Sequence, residues 1–162
     1  RKGISGTLAV NVKQTAVAQS SIRELYPMWE DVPTANIGGA VCLPFSKNVL
    51  DGFDGFDESE QLRMCWNTWD NRASHPKGKM VVVYVQGHTQ AEEHGIEPLM
   101  LLESINSQPI HTVSELRCAM KRLEGVRGST PVYIKFQCRQ VTMLAKHLVE
   151  DSKLMPSPMT CQ

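Results

Sequence analysis

The stretch from residue 95 to residue 110, GIEPLMLLESINSQPI, constrains the fold of this chain more than any other. It places an apolar segment at 100–105 between two turn-forming sequences, which is the pattern of a strand bounded by turns. An apolar β-type run at 80–85 precedes it, a short helix is expected at 90–95, and residues 112–123 follow with helical spacing. This order of strand, short helix, strand, turn and helix predicts an α+β domain with the stretch at its centre.

The helix after the central stretch carries its own start signal. Thr112-Val113-Ser114-Glu115 has the form of a capping box, in which the first and last side chains satisfy each other's backbone amides. The side chains expected to face the core are Val113, Leu116, Ala119, Met120 and Leu123. Further along, residues 131–136 predict a strand, Cys138-Arg139-Gln140 a hairpin turn, and residues 141–148 a returning strand.

The central stretch also resembles, without a gap, the motif G-Φ-x-P-G-D-x-I-x-x-V-N-G-x-P-V of PDZ domains. Two positions depart from it, because Leu99-Met100 stands in place of Gly-Asp and Ser107 in place of the glycine after Asn. The resemblance implies a PDZ-like fold, an α+β partly open β-barrel or sandwich with two helices. A helical insert and an N-terminal extension would be added to it.

The resemblance divides the chain into three parts. Residues 1–36 would be an extension or linker that contains a strand at 4–12, where apolar residues alternate. Residues 37–148 would form the PDZ-like domain, with an insert at 46–79. Residues 149–162 are polar and contain proline, and we expect a mobile tail there.

The insert is expected to consist of a loop at 46–57 and a helix at 58–70. Asp57 with Glu60 has the spacing of a capping box, and the helix has one apolar face. That face comprises Leu62, Cys65, Trp66 and Trp69. It could pack against the domain's own sheet or contact another subunit, since aromatic residues are enriched in interface cores. The interface candidates are Phe53, Phe56, Trp66 and Trp69.

PDZ domains bind a peptide as an added strand between a groove strand and the long second helix. By resemblance, the turn Ile37-Gly38-Gly39-Ala40 would take a terminal carboxylate, residues 40–45 would be the groove strand, and Thr112 would begin the groove helix. The implied peptide-binding residues are Ile37, Gly38, Gly39, Ala40, Val41, Cys42, Thr112, Leu116, Ala119 and Met120. The alternative is that these are ordinary core contacts and that Gly38-Gly39 is only a turn.

Free C-terminal peptides are expected to bind this groove weakly. Ala40 replaces the bulky apolar residue that is usual after the loop glycine, and Pro44 has no N–H to donate to a ladder. For the same reason the groove strand is expected to be an edge strand or to end at Pro44. A standing occupant, such as the domain's own insert or tail, could also fill the site.

A narrower resemblance rests on three features together: the Gly-Gly-Ala-Val-Cys-Leu-Pro-Phe segment, the acidic loop with a tryptophan-bearing helix, and the hairpin that ends in Val141-Thr142-Met143-Leu144. These features are similar to the second PDZ domain of plant-type Deg proteases, which are HtrA-family serine endopeptidases. The resemblance implies a non-catalytic module for protein interaction and assembly. It would regulate oligomerisation or substrate access in a homo-oligomeric parent protein.

Two other functions remain open. The chain could be a scaffold-type PDZ domain that binds C-terminal peptides of partner proteins. It could also be a hydrolase in its own right. The Gly-x-Ser-Gly-Gly and G-x-S-x-G contexts of serine nucleophiles do not occur in the sequence, so we expect no catalysis by these residues. The chain has no initiator Met and is expected to be a piece of a longer protein.

Charge and composition exclude several classes of partner. Lys and Arg number 17, as do Asp and Glu, and no basic block gives a reason to expect nucleic acid or an anionic membrane. No apolar run approaches the ~20 residues of a membrane helix. The acidic residues at 51–60 are spaced unlike an EF-hand and favour a solvated loop, while His88 and His94 are expected at the surface. We therefore expect no metal and no cofactor.

The five cysteines are odd in number, and no C-x-x-C occurs. They lie at positions 42, 65, 118, 138 and 161, several of them among apolar neighbours. This pattern favours reduced, mostly buried thiols in an intracellular compartment rather than a disulfide framework. The sequence does not identify the organelle.

Overall fold

The structure is a computed structural model that describes residues 22–24, 26–27, 30–53, 59–126 and 130–153. Several sequence predictions lie outside these residues: the strand at 4–12, the side chains of Phe56 and Asp57, Cys161, and the tail beyond Lys153.

One seven-stranded antiparallel sheet forms the centre of the described part. Its strands are β1 (Ala35–Ile37), β2 (Ala40–Pro44), β3 (Met80–Val85), β4 (Leu101–Ile105), β5 (Gln108–Pro109), β6 (Pro131–Phe136) and β7 (Gln140–Leu144). They follow the order β1-β2-β3-β4-β6-β7, and β5 pairs with β4. The predicted strands at 80–85 and 131–136 are confirmed, and β2 ends at Pro44 as expected.

Five α-helices pack on this sheet, so the α+β class is confirmed. They are α1 (Lys47–Gly52), α2 (Glu60–Asp70), α3 (Gln90–Glu93), α4 (Val113–Glu124) and α5 (Ala145–Lys153). The described part therefore has two more helices, α1 and α5, than the sequence predicts.

Helix α5 replaces the last part of the strand expected at 141–148. The strand β7 ends at Leu144, and the helix then buries Ala145 and Leu148 on one face. The alternation of buried and exposed residues continues to Ala145 and ends there, because Lys146 and His147 are both exposed; Ala145 and Leu148 then have helical spacing. Residues 149–153, which were assigned to a tail, belong to this helix.

Helix α1 lies where a loop was expected. It has no side-chain cap, and it buries Val49 and Leu50. A helix of six residues without a cap has little stability of its own. Tertiary packing therefore forms this helix, which is why local sequence signals missed it.

The sheet has a separate apolar core on each face. The first core, against α3, α4 and α5, includes Ala35, Ile37, Ala40, Cys42, Met80, Val82, Ala91, Leu102, Leu116, Ala119, Phe136 and Leu148. The second core, against α1 and α2, consists of Ile22, Phe45, Val49, Leu50, Leu62, Cys65, Trp69, Val81, Leu99 and Leu101. The insert thus covers the second face of the sheet.

Helix α2 fits the second core through one face. Ser59 is its N-cap, and the Ser59 hydroxyl accepts a hydrogen bond of 3.1 Å from the Leu62 amide. The predicted capping box of Asp57 with Glu60 is therefore wrong, because the helix begins two residues later than that box requires. The Cys65 thiol donates to the Leu99 carbonyl at 3.2 Å, which ties the helix to the chain before β4.

Candidate functional site

Helix α4 packs against β1 and β2 at the predicted groove. Its capping box is confirmed: the Thr112 hydroxyl accepts from the Glu115 amide at 3.2 Å, and the Glu115 carboxylate accepts from the Thr112 amide at 3.1 Å. The helix buries Val113, Leu116, Ala119 and Leu123, and Met120 is half-buried. The face of this helix that the sequence predicts to be buried is therefore the face that packs on the core.

Strand β1 pairs with the edge of β2 on which the PDZ resemblance would place a bound peptide. The two strands are antiparallel, with Ala35 opposite Cys42, Asn36 opposite Val41, and Ile37 opposite Ala40. The other edge of β2 pairs with β3. Between Ala40 and Cys42, both edges of β2 are thus occupied by this chain.

The glycine turn joins β1 to β2 as a two-residue hairpin. Gly38 and Gly39 have φ angles of 59° and 97°, in the left-handed region that favours glycine. A Cβ atom at Gly38 would lie 2.7 Å from Leu148 Cδ1, and one at Gly39 would overlap Thr89. The turn therefore favours glycine at both positions, and most strongly at Gly39, where the added atom would overlap Thr89.

The amides of the turn already have partners within the chain. The Gly38 amide donates to the Ser152 hydroxyl at 2.8 Å, and the Gly39 amide donates to the Asn36 side-chain oxygen at 2.9 Å. These are the amides that the resemblance assigns to a terminal carboxylate. A carboxylate that reached them would have to displace two side chains.

Five of the ten residues predicted for peptide binding belong to the first core. Ile37, Ala40, Cys42 and Leu116 are fully buried. The others range from buried to exposed: Gly38, Gly39 and Ala119 are buried, Val41 and Met120 are half-buried, and Thr112 is exposed. The site as described is closed by β1 rather than open to solvent.

Three further residues of this site were missed by the sequence analysis. Ala35 and Asn36 form β1 with Ile37, and Ser152 holds the turn from α5. A signal for the first two was present, because Gly-Gly between apolar alternating residues is typical of a two-residue hairpin. No sequence signal links Ser152 to a glycine more than a hundred residues earlier.

The aromatic interface candidates of the insert lie against the second core. Trp69 is 7% exposed and belongs to that core, and Trp66 and Phe53 are partly buried against it. In the described part, the large apolar side chains that are exposed lie outside the insert: Tyr84, Val126, Tyr133 and Leu144. An exposed patch built from Trp66 and Trp69 is therefore not what this insert presents.

The cysteines divide into two classes. Burial raises the pKa of Cys42 to about 12, and burial, with a smaller contribution from Cys138 nearby, raises the pKa of Cys65 to about 12. Cys118 and Cys138 are exposed, so the expectation of mostly buried thiols is wrong for these two. Cys118 falls on the outer face of α4, and Cys138 lies in the turn between β6 and β7.

Of the two histidines expected at the surface, one contacts the edge strand of the sheet. The His94 side chain, which is half-buried, makes a hydrogen bond of 2.7 Å through Nε2 with the Thr142 carbonyl of β7. His88 is exposed. Within the described residues, no group of three His, Cys, Asp or Glu side chains is placed to hold a metal ion.

No helix in the described part is long and apolar enough to span a membrane. The chain matches no model of a known protein family, and no curated protein matches it.

Proposed function

We propose that this chain is a PDZ-like, non-catalytic module for protein interaction and assembly, of the type of the second PDZ domain in Deg/HtrA serine endopeptidases. It acts in oligomerisation or substrate access of a larger protein, rather than by capturing free C-terminal peptides. The observation that carries the proposal is the placement of β1 between β2 and α4.

The direction of β1 supports a PDZ-like groove. The strand runs antiparallel to β2 and ends at the glycine turn, as a C-terminal peptide does in the family. Ile37 takes the place of the last peptide residue and is fully buried, and Ala35, two positions earlier, is also buried. The chain therefore supplies its own groove occupant.

Backbone conformation supports the same assignment at the two departures from the PDZ motif. Leu99 and Ser107 stand where the motif has glycine, and their φ angles are 68° and 64°. Such angles favour glycine and are uncommon for other residues. The positive φ angles at these two positions support the proposal, because the motif has glycine at both.

A free peptide would have to replace β1 to add a strand on this edge of β2. Removal of Ile37 alone from its buried position costs roughly 1.5–3 kcal/mol, and the turn amides would also lose their side-chain partners. A module of this design is suited to fixed contacts within an assembly more than to reading diverse C-termini.

The groove is tested with a fluorescent peptide that copies residues 33–37, Pro-Thr-Ala-Asn-Ile, and ends in a free carboxylate. We expect no binding to the unmodified chain at micromolar concentrations and measurable binding to Ile37→Ser, whose own strand holds the groove less firmly. Leu62→Ser, in the second core, is the matched control and is expected not to bind. Submicromolar binding to the unmodified chain would favour the scaffold-type PDZ domain instead.

The assembly role is tested in the full-length protein. We expect a Gly-x-Ser-Gly-Gly motif upstream in the reading frame, a homo-oligomer by light scattering, and a smaller mass after deletion of residues 35–153. The mass of the Phe53→Ser variant tests whether the insert forms the contact between subunits. A mass that the deletion leaves unchanged would rule out the assembly role, whatever the peptide experiment shows.

A further inference from the structure

A cleft of ≈ 490 Å³ lies at the N-terminal end of α4, outside the residues expected to bind a peptide except for Thr112 at its rim. Its walls are the segment that carries Arg23 and Glu30, the end of β2 with Phe45, and the loop that carries Lys77 and Lys79. Clefts of this size are typical of binding sites for ligands larger than a single ion.

The cleft concentrates positive charge in a chain whose formal net charge is zero. Arg23, Lys77, Lys79 and Arg117 line it, and Glu30 is the one carboxylate among the lining residues, paired with Arg23 at 2.6 Å. The cations of Lys77 and Arg117 have no carboxylate among their hydrogen-bond partners in the described part. The cleft is therefore suited to an anionic ligand.

The remaining lysine is only partly neutralised. Lys79 Nζ lies 4.0 Å from a Glu103 oxygen, but the other oxygen of Glu103 is held by Lys135 at 2.8 Å. The pKa of His75, in the same loop, is lowered by burial first and then by Lys79 and His111.

Uncharged hydrogen-bond donors face the same region. Glu115 satisfies the amides of His111 and Thr112, whereas the next two amides of α4, those of Val113 and Ser114, are first-turn groups without an intrahelical acceptor. His111 also lines the cleft, and its buried Nδ1 has no hydrogen-bond partner. The oxygens of an acidic ligand would provide acceptors for the two amides of Val113 and Ser114.

We infer that this cleft binds an acidic, extended segment of a partner protein, with its carboxylates against Lys77, Lys79 and Arg117. The ligand is a peptide chain rather than a small anion, because the walls also present the accessible, largely apolar side chains of Tyr26, Pro33 and Pro44. The cleft also lies at the end of β2 beyond Cys42, where the pairing with β1 has stopped. The choice of a protein as the partner rests on the proposed function.

The probe is a fluorescein-labelled peptide, Asp-Glu-Leu-Asp-Glu-Leu-Asp-Glu, with an amidated C-terminus so that no terminal carboxylate takes part. Its control has Asn and Gln in place of Asp and Glu. We expect the acidic peptide to bind the complete chain, the control not to bind, and added salt to weaken the binding. Fluorescence polarisation measures each affinity.

Lys77→Glu is the informative variant, because Lys77 is exposed and its reversal leaves the cores intact. We expect it to weaken binding by about tenfold or more, since hydrogen bonds to charged groups contribute about that much. Lys121→Glu makes the same change of charge at the far end of α4, and we expect it to leave the affinity within about twofold of the unmodified chain. Equal unfolding midpoints in urea check that both variants are folded.

Three results would overturn the inference: binding of the neutral peptide with the same affinity, equal weakening by Lys121→Glu and Lys77→Glu, or binding of inorganic phosphate with none of the acidic peptide. None of these results bears on the groove at Gly38 or on the mass of the assembly. Failure here is therefore distinguishable from failure of the proposed function.

Discussion

The two faces of the sheet are covered in different ways. The first core is closed by α3, α4 and α5, whereas the second core is closed by the insert helices α1 and α2. The strand β3 shows why both are needed, because Met80 and Val82 enter the first core and Val81 enters the second. A continuous apolar strand requires cover on both faces.

The other half of the sheet shows the converse. In β6, buried and exposed residues alternate, and Tyr133 on the outer face is 49% exposed. Alternation of this kind is typical of a strand with one face in solvent. The insert therefore covers only the part of the sheet whose sequence is apolar on both sides.

The largest expected contrast is in thiol reactivity, and it tests whether the two cores open together. The thiolate reacts, and a pKa raised from 9.0 to about 12 at Cys42 and Cys65 lowers their thiolate fraction by about a thousandfold, so their alkylation is slow. We expect iodoacetamide to modify Cys118 and Cys138 in the folded chain. Peptide mapping by mass spectrometry measures each site, with the urea-unfolded chain as control.

If Cys65 were modified in the folded chain while Cys42 was not, the second core would open separately from the first. The insert would then be a weakly attached cover rather than part of one folding unit.

The next effect is on stability, and it compares one large side chain from each core. We expect Phe136→Ala and Trp69→Ala each to lower the free energy of unfolding by about 3–5 kcal/mol, because each loses a buried aromatic ring. Urea unfolding followed by circular dichroism gives the values. Tyr133→Ala, at an exposed ring, is the control and is expected to stay within about 0.5 kcal/mol.

Trp69 is the better probe of the insert, since Trp66 is only partly buried. A Trp69→Ala variant as stable as the unmodified chain would show that the second core contributes nothing to stability. The first core would then stabilise the fold, whereas the second core would only cover the sheet.

A smaller effect of opposite sign is expected at Ser107. This residue is exposed with a φ of 64°, so Ser107→Gly removes backbone strain and is expected to stabilise the chain by about 1 kcal/mol. Leu99 has a similar φ but packs in the second core, and Leu99→Gly is expected to destabilise the chain. Thermal unfolding measures the stability of both variants. A loss of stability in Ser107→Gly would show that the backbone at Ser107 is not strained.

The smallest effect concerns pH and the loop by which the insert rejoins the sheet. The pKa of His75 is lowered in the folded state, by burial and then by Lys79 and His111, so the unfolded chain binds the proton more tightly. Stability is therefore greatest above the ordinary pKa of 6.5 and falls as the pH drops through 6.5 towards the folded-state value. Unfolding midpoints across this range measure it.

His75→Gln is expected to reduce this pH dependence. His147→Gln, at an exposed residue of α5, serves as the control. An unchanged slope in His75→Gln would mean that another group causes the dependence.

Local signals in the sequence predict the first core better than the second. The capping box of α4, the alternation in β6 and the turn at Asn106-Ser107 each act within a few residues, and the structure has all three. Helix α1 exists because Val49 and Leu50 find the second core, which depends on residues far away in the chain. Its formation could not be predicted from its own composition.

The candidate site was predicted in outline. Strand β2 and helix α4 lie beside one another as expected, whereas the glycine turn packs against Thr89, Met143 and Leu148. The pairing of Ala35 and Ile37 with β2 was not predicted, since the resemblance begins at residue 37 and leaves residues 1–36 as an extension or linker. The hydrogen bond from Gly38 to Ser152 depends on how α5 returns across the sheet, which no short segment encodes.

The covalent link through Gly38-Gly39 has a consequence for competition. An occupant tethered by two residues is present at its site at an effective concentration on the order of millimolar or higher, and a free peptide must compete against that value. After a cut within the turn, the segment with β1 and a free peptide would be separate chains, and each would compete for the groove at its actual concentration. A single backbone cleavage, with no change of side chain, would then turn a closed groove into one that exchanges its occupant.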